Sequence, residues 1–300
     1  MLSGDTPRSA GLLEPELLRK LERLAIVAKR VQLGTSKGER RSKRKGSSVE
    51  FADYRDYVQG DDLRHVDWNI VGRLDALYLK LFEEQEDLTV HLLIDSSRSM
   101  AFGTPPKLEF ACRLAAAIGY IALVGFDRVS VETFSGADVR RMVPCRGKSS
   151  ARKLFSFLES IEPGGATELE PACRSHMLRV HTKGVTVLIS DFFDEAGFEG
   201  PLRRLIQTKS DPYAIHVMAP EEVNPEISGD LRLLDSETDN FVEISVSAAL
   251  LKRYARNRDG FCEAIRSYCV ARQIGYFFAP SDTPIETLAL DFLRQGGMIR

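Results

Sequence analysis

The sequence lacks three features that would place it in a specialised class of protein. No run approaches the roughly 18 apolar residues that a membrane helix needs, and the best candidate, Leu114 to Val124, is shorter and follows Arg113. The five cysteines form no C-x-x-C pair, a usage more typical of reduced thiols than of a disulfide framework or a zinc site. The 41 Lys and Arg residues balance 43 Asp and Glu residues, and a net charge of −2 argues against coating nucleic acid by bulk charge.

What remains is the composition of an ordinary globular protein. Hydrophobic residues make up 43% of the chain and charged residues 28%, which excludes disorder over the whole length. Met1 to Ala10 contains no apolar core of the kind that a secretory signal peptide has. We therefore expect a cytoplasmic protein without a membrane span. Its 300 residues suit one large α/β domain, or a core domain with an appendage.

The pattern of the chain changes near residue 87. Residues 1–87 combine a helical periodicity over the first 33 residues, a basic loop and a segment dense in charged and aromatic residues. Residues 88–300 alternate apolar runs with amphipathic helices, and they end in a predicted hairpin and helix. This alternation predicts an α/β fold with a doubly wound, mostly parallel sheet covered on both faces. We therefore predict an N-terminal helix, a basic loop and a small lobe over 1–87, and the α/β domain over 88–300.

Oxygen-bearing side chains follow the first buried strand of that domain. Asp95, Ser97 and Ser99 come directly after the apolar run that ends at Ile94. In an open parallel sheet, ligands bind at the carboxyl ends of the strands. A carboxylate and two hydroxyls at alternate positions can converge on a hard cation, and Mg²⁺ takes six oxygens at about 2.0–2.1 Å. One loop cannot supply all six.

Two further segments offer oxygens of the same type. Thr167 follows a flexible Gly-Gly turn just before a predicted helix, and Asp191 follows the second buried strand, Val185 to Ser190. Because parallel strands bring their carboxyl ends to one edge of the sheet, we expect Asp191 to approach Asp95.

This set of residues resembles the metal-ion-dependent adhesion site of von Willebrand factor A domains, over roughly Leu88 to Ala279. The matching positions are Asp95, Ser97, Ser99, Thr167 and Asp191. The resemblance implies a Rossmann-like A-domain fold that binds Mg²⁺, or Mn²⁺ or Ca²⁺. It also implies that the three hydroxyls contact the metal, that the two aspartates act partly through water, and that an acidic side chain of a partner fills the open coordination position.

The preceding segment extends the resemblance over nearly the whole chain. It resembles the segment before the A domain in a bacterial family of unknown function that is commonly found with MoxR-type AAA+ ATPases. The matching stretches are Glu50 to Tyr57, Gly60 to Arg64, Val66 to Trp68 and Tyr78 to Phe82. The resemblance implies an adaptor or co-chaperone-like partner of such an ATPase.

The basic loop is a second candidate for contact with a partner. Residues 37–45 contain six cations and one acid, and Lys43, Arg44 and Lys45 are the candidate contact residues. A solvated loop is the more common meaning of such a run, and no aromatic residue within it could stack on bases. A nucleic-acid-binding module acting through this loop nevertheless remains an alternative function.

The main interpretation is a non-enzymatic module for divalent-metal-dependent protein recognition. The enzymatic alternative is a magnesium-dependent phosphoester hydrolase with Asp95 as the nucleophile. Against it, Ser97 stands two residues on, so the motif contains no nearby carboxylate or histidine for proton transfer.

Overall fold

The computed structural model of the protein describes residues 12–26, 49–58, 66, 68, 70, 77–84, 88–136, 138–234, 241–289 and 298. Contacts divide the chain into two units. One unit comprises Met1–Ser36 together with Leu88–Arg300, and the other comprises Lys37–Asp87. The candidate contact residues Lys43, Arg44 and Lys45 lie outside the described residues.

The smaller unit contains an antiparallel pair of strands. Strand β1 (Val49–Asp56) pairs with β2 (Tyr78–Glu84), and the register shifts between Phe51 and Asp53. Val66 forms an isolated bridge to Leu79, and both side chains are buried. Tyr78 to Phe82, one of the stretches that carry the family resemblance, therefore lies on β2.

In the described part of the larger unit, a seven-stranded sheet forms the centre, with strand order β11-β8-β7-β3-β4-β5 and β6 paired to β4. Its strands are β3 (Thr89–Asp95), β4 (Arg128–Ser135), β5 (Asp138–Arg141), β6 (Cys145–Arg146), β7 (Gly184–Ser190), β8 (Ser210–Met218) and β11 (Gly275–Pro280). The pairs joining β11, β8, β7, β3 and β4 are parallel, while β5 and β6 run antiparallel to β4. The predicted α/β fold with a mostly parallel sheet is confirmed.

Helices cover both faces of this sheet because its strand residues alternate between two apolar clusters. Leu92 and Ile94 pack on one side and Leu93 on the other. The first face holds α1 (Pro15–Leu21), α2 (Lys107–Val124), α3 (Ala151–Glu159) and α8 (Ile285–Thr287). The second face holds α4 (Leu169–Arg179), α5 (Glu199–Ile206) and α7 (Ala248–Ala271). Burial on both faces explains why the central strands are continuous apolar runs.

The N-terminal helix is shorter than the helical periodicity predicts. Helix α1 ends at Leu21, and the backbone turns at Glu22. Leu21 is fully buried in the core of the larger unit, and the Glu22 carboxylate accepts a hydrogen bond from the Tyr120 hydroxyl at 2.7 Å. These contacts end the helix well before residue 33, and Met1–Ser36 belong to the same unit as Leu88–Arg300.

The C-terminal part contains the predicted hairpin and long helix. Strands β9 (Gly229–Leu234) and β10 (Phe241–Val246) form a separate antiparallel pair, and the short helix α6 (Pro220–Val223) precedes them. Helix α7 begins after Ser247, whose hydroxyl accepts a hydrogen bond from the backbone N–H of Leu250. Among the described residues, no helix is both long and apolar enough to cross a membrane.

Candidate metal centre

The candidate site lies at the point in the sheet where successive strands of the chain begin to be added on the opposite side of β3. From β3 the chain crosses to β4 on one side, and β7, β8 and β11 continue on the other side of β3. Such a switch point leaves a crevice at the carboxyl ends of the two neighbouring strands. Asp95 ends β3 and Asp191 directly follows β7, so both carboxylates enter this crevice.

The structure brings the five predicted side chains together. The Ser97 and Ser99 hydroxyl oxygens lie 3.0 Å apart, and Ser99 Oγ lies 3.5 Å from Thr167 Oγ1. Ser99 also donates a hydrogen bond to Asp191 Oδ2 at 2.8 Å. Asp95 accepts a hydrogen bond from the Ser97 backbone N–H at 3.0 Å. It accepts another from the hydroxyl of Ser190, the last residue of β7. Ser99 is only partly buried, whereas the other four are almost wholly shielded.

These spacings fit a small divalent cation. Two ligands at right angles around an ion with bonds of about 2.1 Å lie about 3.0 Å apart. The separations between Ser99 Oγ and its three neighbours run from 2.8 to 3.5 Å. Ser97, Ser99 and Thr167 would supply neutral hydroxyl ligands, with Asp95 and Asp191 as the anionic groups. Within the described residues, no three His, Cys, Asp or Glu side chains form a group that could hold a metal, so hydroxyls are essential to this donor set.

A glycine turn docks the Thr167 loop against the loop that follows β3. The backbone N–H of Gly164 donates to the Ser96 carbonyl at 2.8 Å, and the N–H of Arg98 donates to the Gly165 carbonyl at 3.0 Å. Gly165 has a φ of +66°, and a Cβ there would meet the Ser135 backbone at 3.1 Å. Glycine adopts such a φ at no steric cost, and together with the close approach of the Ser135 backbone this favours glycine at the turn.

Two further charged residues belong to the site and were not predicted from the sequence. The Lys107 ammonium donates hydrogen bonds to Asp191 Oδ2 at 2.7 Å and to Glu222 Oε1 at 2.6 Å. The other oxygen of Glu222 accepts a hydrogen bond from the backbone N–H of Ala219 at 2.7 Å. A signal was present, because a lysine in the first turn of a helix opposes the helix dipole and needs a compensating partner.

Electrostatics inside the crevice reflect its burial. Burial and the nearby charge of Asp191 raise the pKa of the Asp95 carboxyl above its usual range. Burial lowers the pKa of Lys107, but the charges of Asp191 and Glu222 outweigh it and raise that pKa overall. Lys107 is therefore a buried ammonium ion at neutral pH, and a cation bound between the aspartates would favour their ionised forms.

Apolar side chains flank the crevice. Phe102 follows the turn that contains Ser99 and is 50% exposed, and Phe193, two residues after Asp191, is 41% exposed. Phe193 stacks on Phe261 of helix α7, with ring centroids 5.5 Å apart.

Fold and site together define the class of protein: a doubly wound α/β protein, compatible with the A-domain type, with a hydroxyl-rich acidic crevice at its switch point. The particular family follows from the sequence. Residues 53–260 match DUF58, a family of proteins of unknown function, and the chain belongs to it.

Relatives and solved structures with similarity to the chain come from several bacteria. Uncharacterized proteins of Mycobacterium bovis and Mycobacterium tuberculosis are 28% identical over 261 residues, which cover 85% of this chain and 80% of theirs. Among solved structures, the conserved hypothetical protein BatB from Bacteroides thetaiotaomicron is 17% identical, covers 70% of this chain and 96% of its own, and has a TM-score of 0.43. An aerotolerance-related membrane protein from Bacteroides fragilis is 18% identical, with coverage of 70% and 98% and a TM-score of 0.43.

Proposed function

We propose that the protein is a divalent-metal-dependent recognition module that binds a carboxylate of a partner protein. The observation that carries the proposal is the convergence of three hydroxyls and two carboxylates from three separate loops in one crevice. Neutral hydroxyl ligands leave much of the charge of a bound cation uncompensated, and such a cation attracts a further anionic ligand. Mg²⁺ is the proposed ion, with Mn²⁺ or Ca²⁺ as alternatives.

The surroundings of the crevice favour a protein over a small solute as the partner. Phe102 and Phe193 expose large apolar surfaces beside the site. Exposed apolar side chains next to a polar centre are typical of interaction surfaces. By resemblance of the chain to its bacterial family, we propose a MoxR-type AAA+ ATPase as the partner and an adaptor or co-chaperone-like role.

We propose binding rather than catalysis. All four carboxylate oxygens of Asp95 and Asp191 accept hydrogen bonds from protein groups, so neither carboxylate is placed to take a proton from water. Incubation of the protein with ATP or an aryl phosphate and Mg²⁺ should release no phosphate. Turnover that the Asp95→Ala variant lacks would instead favour the phosphoester hydrolase.

Metal binding itself is tested by calorimetry. Wild-type protein should bind Mg²⁺ or Mn²⁺, and Asp95→Ala should bind either ion far more weakly, because one of two anionic groups is gone. Circular dichroism of the variant should match that of the wild type. A folded wild-type protein that binds neither ion would contradict the proposal.

Partner capture is tested with the ATPase immobilised. Thr167→Ala should weaken capture, and EDTA should weaken it likewise, since both remove metal-mediated contact. Phe102→Ser should weaken capture but leave Mg²⁺ affinity unchanged, because it removes an apolar side chain that is 50% exposed. Neutralising Lys43, Arg44 and Lys45 should act mainly on association rate and salt dependence. Capture that survives chelation but disappears with the basic-loop change would make the loop the interface.

A further inference from the structure

The buried pair Lys107 and Glu222 bears on the proposed metal site, and the inference drawn from it rests on that proposal. The Lys107 side chain is 1% exposed and its ammonium contacts Asp191 directly. Glu222 is 15% exposed and contacts the same ammonium, but it makes no hydrogen bond to the five donors in the described structure. The positive member of the pair is therefore the one that touches the donor set.

Charge at the site can be counted from these contacts. Asp95 and Asp191 together carry two negative charges, which balance the two positive charges of one divalent cation. Lys107 adds a positive charge in contact with Asp191, and Glu222 compensates it from the side of the ammonium that the donors do not occupy. With a cation bound, the cation, the two aspartates and Lys107 would together have a net positive charge.

We propose that Lys107 lowers the affinity of this crevice for the divalent cation and raises its affinity for a carboxylate of the partner. Its charge weakens the hold on the divalent cation, because like charges repel strongly where little water screens them. The same charge strengthens the hold on an incoming carboxylate, since it leaves the metal-loaded crevice positive.

A purely structural role for Lys107 makes different predictions. If the ammonium only orients Asp191, its removal misplaces a ligand and weakens the binding of both the cation and the carboxylate. The two explanations therefore differ in the sign of the effect on metal affinity.

The experiment compares Mg²⁺ affinity, measured by calorimetry, in four forms of the protein. Lys107→Met removes one positive charge, Glu222→Gln removes one negative charge, and the double variant removes both. The double variant leaves fewer buried charges unpaired, so it tests the proposal even where Lys107→Met fails to fold. We expect Lys107→Met to bind Mg²⁺ at least about tenfold more tightly than wild type. The reason is that the variant loses the repulsion between the ammonium and the cation in a site where water screens charges poorly. The Mg²⁺ affinity of the double variant should lie between those of Lys107→Met and wild type, and Glu222→Gln should have the lowest affinity of the four forms.

A second readout uses acetate, the simplest carboxylate, titrated by NMR into each protein at saturating Mg²⁺. Acetate should bind Lys107→Met several-fold more weakly than wild type. Weaker Mg²⁺ binding by both Lys107 variants would overturn the proposal in favour of orientation alone, and acetate binding that is equal or absent in all forms would overturn its second half. Absence of Mg²⁺ binding in every form would instead contradict the metal site itself.

Discussion

At the scale of single residues, several buried charges of the described residues have compensating partners. Glu132 on β4 is an example outside the metal centre. Its carboxylate lies 3.1 Å from His176 Nδ1 and 3.3 Å from Arg141 Nε, and it also pairs with Arg179. Its side chain is 9% exposed, so these contacts operate with little screening by water.

Glu132 should make the stability of the fold depend on acid pH. Burial raises the pKa of Glu132, but hydrogen bonds from His176 and Arg179 outweigh it and hold the pKa at about 2. A folded pKa below the unfolded value of 4.5 stabilises the fold above pH 4.5, and this contribution is lost as pH falls towards 2. Glu132→Gln should therefore lower the free energy of unfolding at pH 7 by about 3 kcal/mol, as measured by urea unfolding from pH 3 to pH 7.

Glu263→Gln is the matched control. Glu263 on α7 also has a pKa lowered to about 2, by hydrogen bonds from Arg266 and Ser267, but its side chain is exposed. Pairs of this kind contribute little to stability, because water and salt screen them. An equal loss of stability in the two variants would contradict the role assigned to burial.

At the scale of elements, the site depends on how loops dock against one another. The Gly164–Gly165 turn is fixed by backbone hydrogen bonds to the loop after β3, and it carries the chain to Thr167. The two glycines differ in their surroundings. Gly165 has a positive φ and little space, whereas a Cβ at Gly164 would meet nothing within 4 Å.

Gly165→Ala should displace the Thr167 loop. Alanine at a positive φ costs about 1–2 kcal/mol, and its Cβ would press on the Ser135 backbone. We expect a lower melting temperature and weaker Mg²⁺ binding, measured by calorimetry. Gly164→Ala should change neither property appreciably. Similar effects of the two substitutions would show that the positive φ of Gly165 does not control the position of the loop.

At the scale of the whole molecule, the larger unit has a core on each face of its sheet, and the N-terminal helix belongs to one of them. Leu13, Leu21 and Ile26 are buried with α2 and its neighbours. The side of α1 nearer solvent also makes an ion pair, between Lys20 and Glu286 at 2.8 Å.

Leu21→Ala should destabilise the larger unit as a whole. Removal of a fully buried leucine side chain costs about 2–5 kcal/mol, through lost burial and the cavity that remains. The unfolding transition of the α/β domain, followed by tyrosine fluorescence or circular dichroism, should move to lower denaturant concentration. Leu17→Ala, at a position that is only partly buried, should cost clearly less. An unchanged transition for Leu21→Ala would mean that α1 is not part of this core.

Much of the fold and of the site could be predicted from local patterns. Apolar runs of strand length predicted β3 and β7, and the alternation of such runs with amphipathic helices predicted a mostly parallel sheet covered on both faces. Parallel strands end at a common edge, so the residues that follow β3 and β7 were predicted to lie at the same edge of the sheet. The direct pairing of β7 with β3, which brings Asp95 and Asp191 close together, is a property of the tertiary structure.

Other features depend on contacts that no local pattern encodes. Lys107 and Glu222 lie 115 positions apart. The position of Lys107 in the first turn of a helix indicates that it needs a partner, but only the fold brings Asp191 and Glu222 to it. The early end of α1 likewise depends on the packing of Leu21 against the core, which overrides a longer helical periodicity. Periodicity is a property of consecutive residues and can be derived from them. The compensation of buried charge and the end of a packed helix depend on partners distant in sequence, so only the tertiary structure decides them.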